Sequence, residues 1–543
     1  MTSPPMDASA EGAPRPEGRG RSERRIARAA VLVMAGFILS NLTSLAQRIL
    51  TTRAFGTGGE IDAFFAALRV PDLLFNLLAG GALASAFIPS FSSLLAQGDR
   101  AKSWRLASSV ANLVALALAA LSALAWLAAP WLVRHVLAPG FDLDQALLTA
   151  ALMRTLLCTA VVFGLSGLVM GILQAHQHFL LPALAPTVYW IGWIFGVLAL
   201  APRLGIRGLA WGVVLGALLH LAIQLPGLRG RGARYDLRLG WSDPEVRQVI
   251  RLMGPRLIGV GVVQINFLVN TILASSQPQG SLTALALAFA VMTMPQVVIA
   301  QSIAIAALPT FSVQAAQGRW QELRETIAGT LRGVVFLSLP ASAGLIILRT
   351  PITALLFERG VFDTRSTELV AWALLWFAAG LLGHSLVEIL SRAFYALQDT
   401  RTPVIVGALA MTLNVVFSLT LAGLFRNAGL APHGALALAN SLATTLESVV
   451  LIAALRRRVP GMDMRSLAAG GAGAAAATAV MAGALTLWLG MSQSWGVVAQ
   501  ALGGVAVGGA VFWATALALQ VPEARRLPAL LFKMRGRPTK RSG

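Results

Sequence analysis

The segment FIPSFSSLLAQG, at residues 87–98, is echoed 220 residues later by ALPTFSVQAAQG, at residues 307–318, and six of the twelve positions are identical. Two further pairs follow in the same order at an offset of 221. PGFD at 139–142 pairs with GVFD at 360–363, and AHQHFLLP at 175–182 pairs with ALQDTRTP at 396–403. Three ordered matches at nearly one offset indicate an internal duplication.

The composition is that of a membrane protein. Of the 543 residues, 56% are hydrophobic and only 12% are charged, and the mean hydropathy is +0.72. A soluble domain is about 25% charged. Apolar runs of the roughly 20 residues that cross a bilayer recur along the chain. Lipid leaves no water to satisfy exposed backbone groups, so these runs are predicted to be helices and the protein an all-α polytopic membrane protein.

Fourteen transmembrane spans are predicted. They lie near residues 29–52, 61–95, 105–134, 145–174, 179–200, 207–226, 249–274, 281–315, 326–348, 367–396, 402–424, 431–455, 466–489 and 495–520. The repeat unit therefore holds six spans. An even number of spans returns the chain to the same side, so the two copies share one orientation. We predict two pseudo-symmetric six-helix lobes plus two C-terminal helices.

The charges divide the chain further. The formal net charge is +20, and it is concentrated in the tails and in alternate turns, which predicts cytoplasmic N- and C-termini and argues against nucleic acid binding. The predicted organisation is listed in chain order: a disordered basic cytoplasmic tail (1–28), an N-lobe (29–226), a basic cytoplasmic linker (227–248), a C-lobe (249–456), two final spans (466–520) and a basic cytoplasmic tail (521–543).

Several functional classes are disfavoured. The single cysteine, Cys158, permits no internal disulfide, and the six scattered histidines do not form a zinc pattern. No phosphate-binding loop motif is present, so the chain is not its own ATPase. We expect no catalysed reaction and no bound cofactor.

Long segments resemble a known family. RAFGTGGEIDAFFAALRVPDLLFNLLAGGALASAFIPSFS (53–92), MPQVVIAQSIAIAALPTFS (294–312) and LSRAFYALQDTRTPV (390–404) are similar to the MurJ/MviN lipid II flippases of the multidrug/oligosaccharidyl-lipid/polysaccharide exporter superfamily. The resemblance implies a protein of the bacterial plasma membrane that moves undecaprenyl-pyrophosphate-linked peptidoglycan precursor from the inner to the outer leaflet. It also implies membrane lipids and cell-wall synthesis proteins as partners, with coupling to the membrane potential or to a monovalent cation.

The sequence departs from this family at charged positions. Family members usually carry arginine where this chain has Asn41, Gln47, Phe75 and Ala290. Asn414 matches a position where some members place a sodium ligand, and it is the one candidate metal ligand. Two alternatives therefore stay open: a non-transporting scaffold relative in the envelope machinery, and an exporter of another cargo, such as a different polyprenyl-linked glycan.

Polar side chains recur at helical spacing within the first spans. Asp62, Arg69 and Asn76 are seven residues apart and share one helix face. An intramembrane arginine costs roughly 2.5–3.5 kcal/mol, so each one needs a physical reason. This stripe, and a second one formed by Asn41, Ser44 and Arg48 in the first span, either contact the substrate or join the helices. The predicted substrate-binding residues are Asn41, Gln47, Arg48, Asp62, Arg69, Asn76 and Arg256.

Polar residues of two later spans are also candidates for a functional role. Arg256, near the start of the seventh span, either reaches a phosphate or extends to the membrane interface. His384 and Glu388 are four residues apart in the tenth span. They are predicted to form either a protonatable pair or an ordinary packing contact.

Overall fold

The computed structural model describes the backbone of residues 17–78 and 81–525. Within these ranges the side chains at 17–31, 81, 82, 84, 85, 255, 256, 258, 259, 262 and 466 are not described. The described part contains helices and no strands, so the predicted all-α class is confirmed.

The helices follow the predicted order of two lobes and a C-terminal pair. The N-lobe contains α1 (Glu17–Phe55), α2 (Gly59–Leu78), α3 (Gly81–Ala96), α4 (Arg100–Leu127), α5 (Ala129–Leu132), α6 (Leu143–Ala175), α7 (Leu180–Phe195), α8 (Ala201–Leu204) and α9 (Ile206–Ala222). The C-lobe contains α10 (Pro244–Ser275), α11 (Ser281–Gln296), α12 (Ser302–Ala316), α13 (Trp320–Ile347), α14 (Arg349–Phe357), α15 (Thr364–Ala379), α16 (Leu381–Ala396), α17 (Arg401–Asn427) and α18 (His433–Arg458). The last pair is α19 (Met464–Met491) and α20 (Gly504–Ala518).

Eleven helices of the described part are long and apolar enough to cross a membrane. The number becomes twelve if α15 and α16, which meet at a 47° bend, count as one span. The other two predicted spans coincide with α10 and with α2–α3, whose junction at 79–80 lies outside the described residues. The count of fourteen therefore stays a prediction. Large apolar side chains such as Phe37, Leu124 and Leu419 are exposed, as lipid-facing residues are.

The duplication is visible in the backbone. Gly98 and Gly318, which end the two copies of the opening segment, both have left-handed φ angles, of 79° and 66°. Gln177 and Gln398 are also left-handed, at φ 56° and 60°, although residues other than glycine rarely adopt this conformation. In both copies an aspartate caps the following helix: Asp142 accepts from the Gln145 N–H, and Asp363 accepts from the Ser366 N–H.

Successive helices reverse direction, so the turns alternate between two faces of the molecule. One face carries the linker 229–243 and the arginines that end α18, at 456–458, and we call it the basic face. The other, which carries the turns 56–58, 276–280 and 358–363, is called the opposite face.

The linker and the two ends of the chain differ in detail from the predicted boundaries. The helix α1 already begins at Glu17, so residues 17–28 of the predicted disordered tail are helical. Residues 1–16 and 526–543 of the two predicted tails lie outside the described residues. The linker is docked on α4, where Trp104 Nε1 donates to the Arg231 carbonyl at 3.2 Å and Asn112 Nδ2 donates to the Arg238 carbonyl at 2.8 Å.

The C-terminal pair packs on the C-lobe. Phe336 of α13 contacts Phe512 of α20, with ring centroids 5.0 Å apart. Near the basic face Arg332 Nε lies 3.0 Å from Glu523 Oε1, and both side chains are mostly buried. This ion pair ties the segment after α20 to the C-lobe, as far as the chain is described.

Candidate substrate cavity

The two lobes are joined at the opposite face through Asp62. This α2 side chain is 2% exposed, and its oxygens accept hydrogen bonds from the backbone N–H of Gly280 at 2.7 Å and of Thr283 at 2.8 Å. The Thr283 hydroxyl donates a third, short hydrogen bond. These donors belong to the first turn of α11, where free N–H groups and the helix dipole favour an anion. The N-lobe thus supplies the capping carboxylate of a C-lobe helix.

Further contacts close the same face. Thr57 Oγ1 donates to Ser366 Oγ at 2.8 Å, and the Val361 N–H donates to the Arg53 carbonyl at 2.9 Å. Gly280 has φ +94°, and a Cβ there would collide with the Thr57 carbonyl, so this turn requires glycine. The lobes are therefore sealed together at the opposite face.

A central chamber of about 450 Å³ lies between the lobes beneath this seal. Its polar lining comes from α1 and α2, and comprises Gln47, Arg48, Thr51, Thr52, Arg69, Asp72 and Asn76. Gln47 is buried and donates to Thr51 Oγ1 at 2.9 Å, which holds its amide in place. Arg48 has no ion-pair partner among the described residues. The chamber therefore offers a guanidinium to an anionic ligand.

Arg69 lines three neighbouring cavities. It lines the central chamber, a side chamber of about 260 Å³ with Asp72, Asn76 and Gln264, and a C-lobe chamber of about 310 Å³. Its Nε donates to Thr271 Oγ1 of α10 at 3.0 Å, and its guanidinium carbon lies 5.7 Å from the centre of the Phe267 ring. These contacts hold the Arg69 guanidinium where the three cavities meet its side chain. A guanidinium can bind phosphate oxygens in a bidentate manner.

The rest of the central chamber is aromatic. Eight aromatic side chains line it: Phe65, Phe75, Phe163, Tyr189, Trp190, Trp193, Phe267 and Phe289. Several pack edge to face, such as Tyr189 on Trp193 with ring centroids 6.1 Å apart. Aromatic faces present large rigid surfaces that suit the apolar faces of sugars.

The C-lobe chamber is lined by polar side chains from four helices. They are Asn266, Asn270 and Thr271 of α10, His384 of α16, Asn414 of α17, and Asn440, Thr444 and Glu447 of α18. The His384 Nε2 atom lies 3.0 Å from Asn440 Oδ1. Glu388 instead pairs with Arg392 at 2.8 Å, so His384 and Glu388 do not pair with each other, and each makes an ordinary packing contact, the second of the two alternatives.

The predicted binding residues separate into three groups. Gln47, Arg48, Arg69 and Asn76 line the cavity, and their contact with a substrate stays a prediction. Asp62 lies at the opposite face and not in the cavity lining, because its carboxylate accepts hydrogen bonds from the first turn of α11. Asn41 is exposed and donates to its own helix at the Phe37 carbonyl, 2.8 Å away, so it lines no chamber.

Two of the predictions concern other parts of the chain. Arg256 is on α10, but its side chain is outside the described part of the structure. The candidate metal ligand Asn414 is buried in the C-lobe chamber with Asn266 Oδ1 3.5 Å away and Ser418 Oγ 3.5 Å away. Within the described residues no group of three or more His, Cys, Asp or Glu side chains is arranged to hold a metal ion. A metal at Asn414 is an untested prediction.

Sequence reasoning missed the aromatic wall and, apart from His384 and Asn414, the polar lining of the C-lobe chamber. The aromatic residues come from α2, α6, α7, α10 and α11, and apolar spans rich in Phe and Trp give no sign of which rings face inward. The α18 side chains Asn440, Thr444 and Glu447 do recur at helical spacing. That stripe was a usable signal in the sequence.

These features define a class of protein. Two like-facing helical bundles around a polar cavity that is closed at one face form the fold of the alternating-access exporters. A structure titled as an inward-facing multidrug resistance MATE family transporter of the MOP superfamily matches with a TM-score of 0.64 at 16% identity, covering 80% of this chain and 98% of the other.

The particular family follows from the sequence. The family model described as Lipid II flippase MurJ matches residues 51–506, and the chain belongs to this family. It is 33% identical to the lipid II flippase MurJ of Burkholderia cenocepacia, over 79% of this chain and 84% of that protein. It is 31% identical to a probable lipid II flippase MurJ of Vibrio cholerae, over 88% and 93%. A structure titled Lipid II flippase MurJ, inward closed conformation, matches with a TM-score of 0.77 at 22% identity, covering 92% of this chain and 99% of the other.

Proposed function

We propose that this protein moves undecaprenyl-pyrophosphate-linked peptidoglycan precursor from the inner to the outer leaflet by alternating access. Its membership of the MurJ family supports the cargo. The observation that carries the proposal is the placement of Arg48 and Arg69 in one cavity between the lobes. The cavity is sealed at the opposite face by Asp62 and by the Thr57–Ser366 contact.

The physical task is to carry a hydrated anion through hydrocarbon. A pyrophosphate–sugar head group loses its hydration there, and an unpaired charge is costly in such surroundings. Two guanidiniums replace part of that hydration with charge-assisted hydrogen bonds, and the aromatic wall accommodates the sugars. The polyprenyl tail stays in the bilayer while the head group passes between the lobes.

Direction comes from the membrane potential in this proposal. An inside-negative potential drives an anion outward with about 2.3 kcal/mol per charge per 100 mV. The basic face is then cytoplasmic, as the positive-inside rule requires, and both termini lie on that side. The membrane is the bacterial inner membrane, and the expected partners are the lipid-linked precursor, the surrounding lipids and cell-wall synthesis proteins. No cofactor takes part.

Reconstitution in proteoliposomes tests the proposal. We expect Arg69→Ala to slow head-group translocation about tenfold or more, because a charge-assisted hydrogen bond contributes about 1.5–3 kcal/mol. Arg48→Ala should act similarly. Arg154→Ala is the matched control, because Arg154 lies on α6 against Trp126 and lines none of the three chambers. Equal translocation by wild type and Arg69→Ala would overturn the proposed role of the cavity.

A second candidate cargo is a different polyprenyl-linked glycan. It is favoured by the eight aromatic side chains of the central chamber, and by Phe75 at a position where relatives usually carry arginine. Rescue of cells depleted of their lipid II flippase separates the candidates. Rescue supports the peptidoglycan precursor, and a protein that is inserted normally without rescue supports the other glycan or a scaffold role.

A further inference from the structure

Glu447 is an intramembrane carboxylate without a partner among the described residues. It lies near the middle of α18 and lines the C-lobe chamber. No described side chain forms a hydrogen bond or an ion pair with it. Two other carboxylates of the lobes differ in this respect, since Asp62 has three donors and Glu388 has Arg392.

A glycine of α17 lies opposite this carboxylate. A Cβ atom added at Gly407 would meet a single neighbour within 4 Å, Glu447 Oε1, at 3.3 Å. The Glu447 side chain is half-buried and reaches α17 at a position without a side chain. The carboxylate is therefore inside the lobe, between two helices, and does not extend to the membrane surface.

An ionised carboxylate at this depth needs a neutralising partner. Charged side chains inside a membrane are costly unless they are paired or protonated. We propose that Glu447 is a proton-binding site of the C-lobe chamber, which loads and releases one proton as the cavity changes its access to the two faces. The claim that Glu447 binds a proton depends only on the position of its unpartnered carboxylate inside the lobe. The claim that this proton affects transport rests on the proposed function.

The chamber favours a proton over a metal cation. A bound metal cation requires several oxygen ligands around it, as hard cations do. No described side chain donates a hydrogen bond to the Glu447 carboxylate, and carboxamides of the chamber are held by other partners, as in the Asn270–Asn266 contact at 3.0 Å and the Asn440–His384 contact at 3.0 Å. A proton needs only one oxygen.

The charged surroundings of Glu447 are few. Arg69 of α2 and His384 of α16 are the other titratable side chains that line the chamber. On α16, Glu388 and Arg392 pair with each other. The helix α11 has no titratable side chain between Ser281 and Gln296. On the remaining helices packed against α18, the charged residues lie toward the helix ends or in the first half of α10. They are Glu245, Arg247, Arg251 and Arg256 on α10, Arg365 and Glu368 on α15, and Arg401 and Arg426 on α17.

Arg69 connects the proton site to the cargo site. Its guanidinium lines both the C-lobe chamber and the central chamber. An anion bound at Arg69 and a negative charge on Glu447 repel each other, so binding of the anion favours the protonated form of Glu447. By linkage, protonation of Glu447 strengthens binding of the anion by the same factor.

Infrared spectroscopy on the full-length protein in lipid nanodiscs tests the protonation without reference to any cargo. A difference spectrum between acidic and alkaline buffer should contain a protonated carboxyl band that Glu447→Gln removes and Glu447→Asp shifts. Glu388→Gln is the control and should leave the band in place, because Glu388 is ion-paired. The proposal is overturned if Glu447→Gln leaves the spectrum unchanged, or if sodium chloride in place of choline chloride abolishes the band at constant pH, which would assign the site to sodium.

A transport measurement tests the coupling. In proteoliposomes with the membrane potential clamped at zero, the wild-type translocation rate should depend on pH, with a one-proton limit of about tenfold per pH unit. Glu447→Gln should translocate at a rate that does not vary with pH. A pH-dependent rate in Glu447→Gln overturns the coupling. If the infrared band is lost in Glu447→Gln but no variant translocates the precursor, the proton site stands and the proposed cargo fails.

Discussion

Asp62 and Asp142 are both helix-capping carboxylates at the opposite face, but they act on different partners. Asp142 caps α6 within its own lobe, whereas Asp62 caps α11 across the lobe boundary. A helix N-terminus and a carboxylate attract each other by up to about 2 kcal/mol in partly buried settings. Breaking the Asp62 contact is therefore required each time the lobes separate at this face.

Replacing Asp62 should open the seal. In Asp62→Asn one amide group faces the N–H donors of α11 with its own hydrogens, so the closed arrangement should weaken about tenfold or more. The measurement is labelling of Leu285→Cys by a membrane-impermeant maleimide added at the opposite face, in a Cys158→Ala background. Leu285 lines the C-lobe chamber.

Asp142→Asn serves as the matched control. It removes the charge of a helix cap, whose hydrogen bond asparagine can still accept, but it removes no contact between the lobes. We expect faster labelling in Asp62→Asn and unchanged labelling in Asp142→Asn. Equal rates in all three proteins would show that Asp62 does not hold the seal.

Asp399 gives a prediction for pH. The Thr402 N–H at 3.0 Å and hydroxyl at 2.7 Å, followed by Arg458 at 3.2 Å, hold the pKa of Asp399 below its ordinary value. A carboxyl with a lowered folded-state pKa stabilises the protein above the unfolded value, near 3.9, and this stabilisation is lost as the pH falls through the folded value.

Asp399→Ala should accordingly destabilise the protein by about 1 kcal/mol at neutral pH, the usual cost of replacing a capping side chain by alanine. The difference from wild type should shrink when the pH falls below about 4. Thermal unfolding in detergent at several pH values measures it. A difference that is constant down to the lowest pH would refute the assignment.

At the scale of the residue, the sequence predicted which polar side chains face the lobe boundary, but not their partners. The spacing of Asp62, Arg69 and Asn76 placed them on one face of α2, and that face does meet the C-lobe. Whether a position on that face meets a helix end or a cavity depends on where the N-terminus of α11 lies along the axis of α2. That position is set by tertiary packing, which no local pattern encodes.

At the scale of the helix, glycines decide how closely α7 and α9 approach. Gly192 of α7 and Gly196, which directly follows α7, meet Gly208, Gly212 and Gly216 of α9 at spacings of four residues. A Cβ added at Gly196 would lie 2.5 Å from the Gly212 Cα atom. Without a hydrophobic driving force inside lipid, such close backbone contact is a main source of helix association. This pattern is visible in the sequence as two small-residue repeats, and it was overlooked there.

Gly212→Ala should therefore destabilise the N-lobe. The added methyl group collides with the Gly196 backbone, and overpacking of this kind costs about 1–3 kcal/mol. Gly344→Ala on α13 is the control, since nothing lies within 4 Å of its added Cβ, and alanine should slightly stabilise that helix. The thermal midpoint should fall in the first variant and not in the second. A fall of equal size in both variants would contradict the packing argument.

At the scale of the whole molecule, the duplication was the strongest prediction from sequence. Conserved offsets of 220–221 residues return as matched turns, at Gly98 with Gly318 and at Gln177 with Gln398. The offset could not reveal which copy builds which part of the cavity. The N-lobe contributes both cavity arginines and six of the eight aromatic side chains of the central chamber, whereas the C-lobe contributes Glu447 and most of the carboxamides. The two copies share a backbone and have diverged in the side chains that face inward.

The central claim is that transport requires the two lobes to separate at the opposite face. Thr57 and Ser366 bridge them there, with their hydroxyl oxygens 2.8 Å apart. The decisive measurement is head-group translocation by Thr57→Cys/Ser366→Cys in a Cys158→Ala background, before and after oxidation, with each single cysteine as control. We predict that the disulfide stops translocation and that reduction restores it. Undiminished translocation by the fully cross-linked protein would contradict the account.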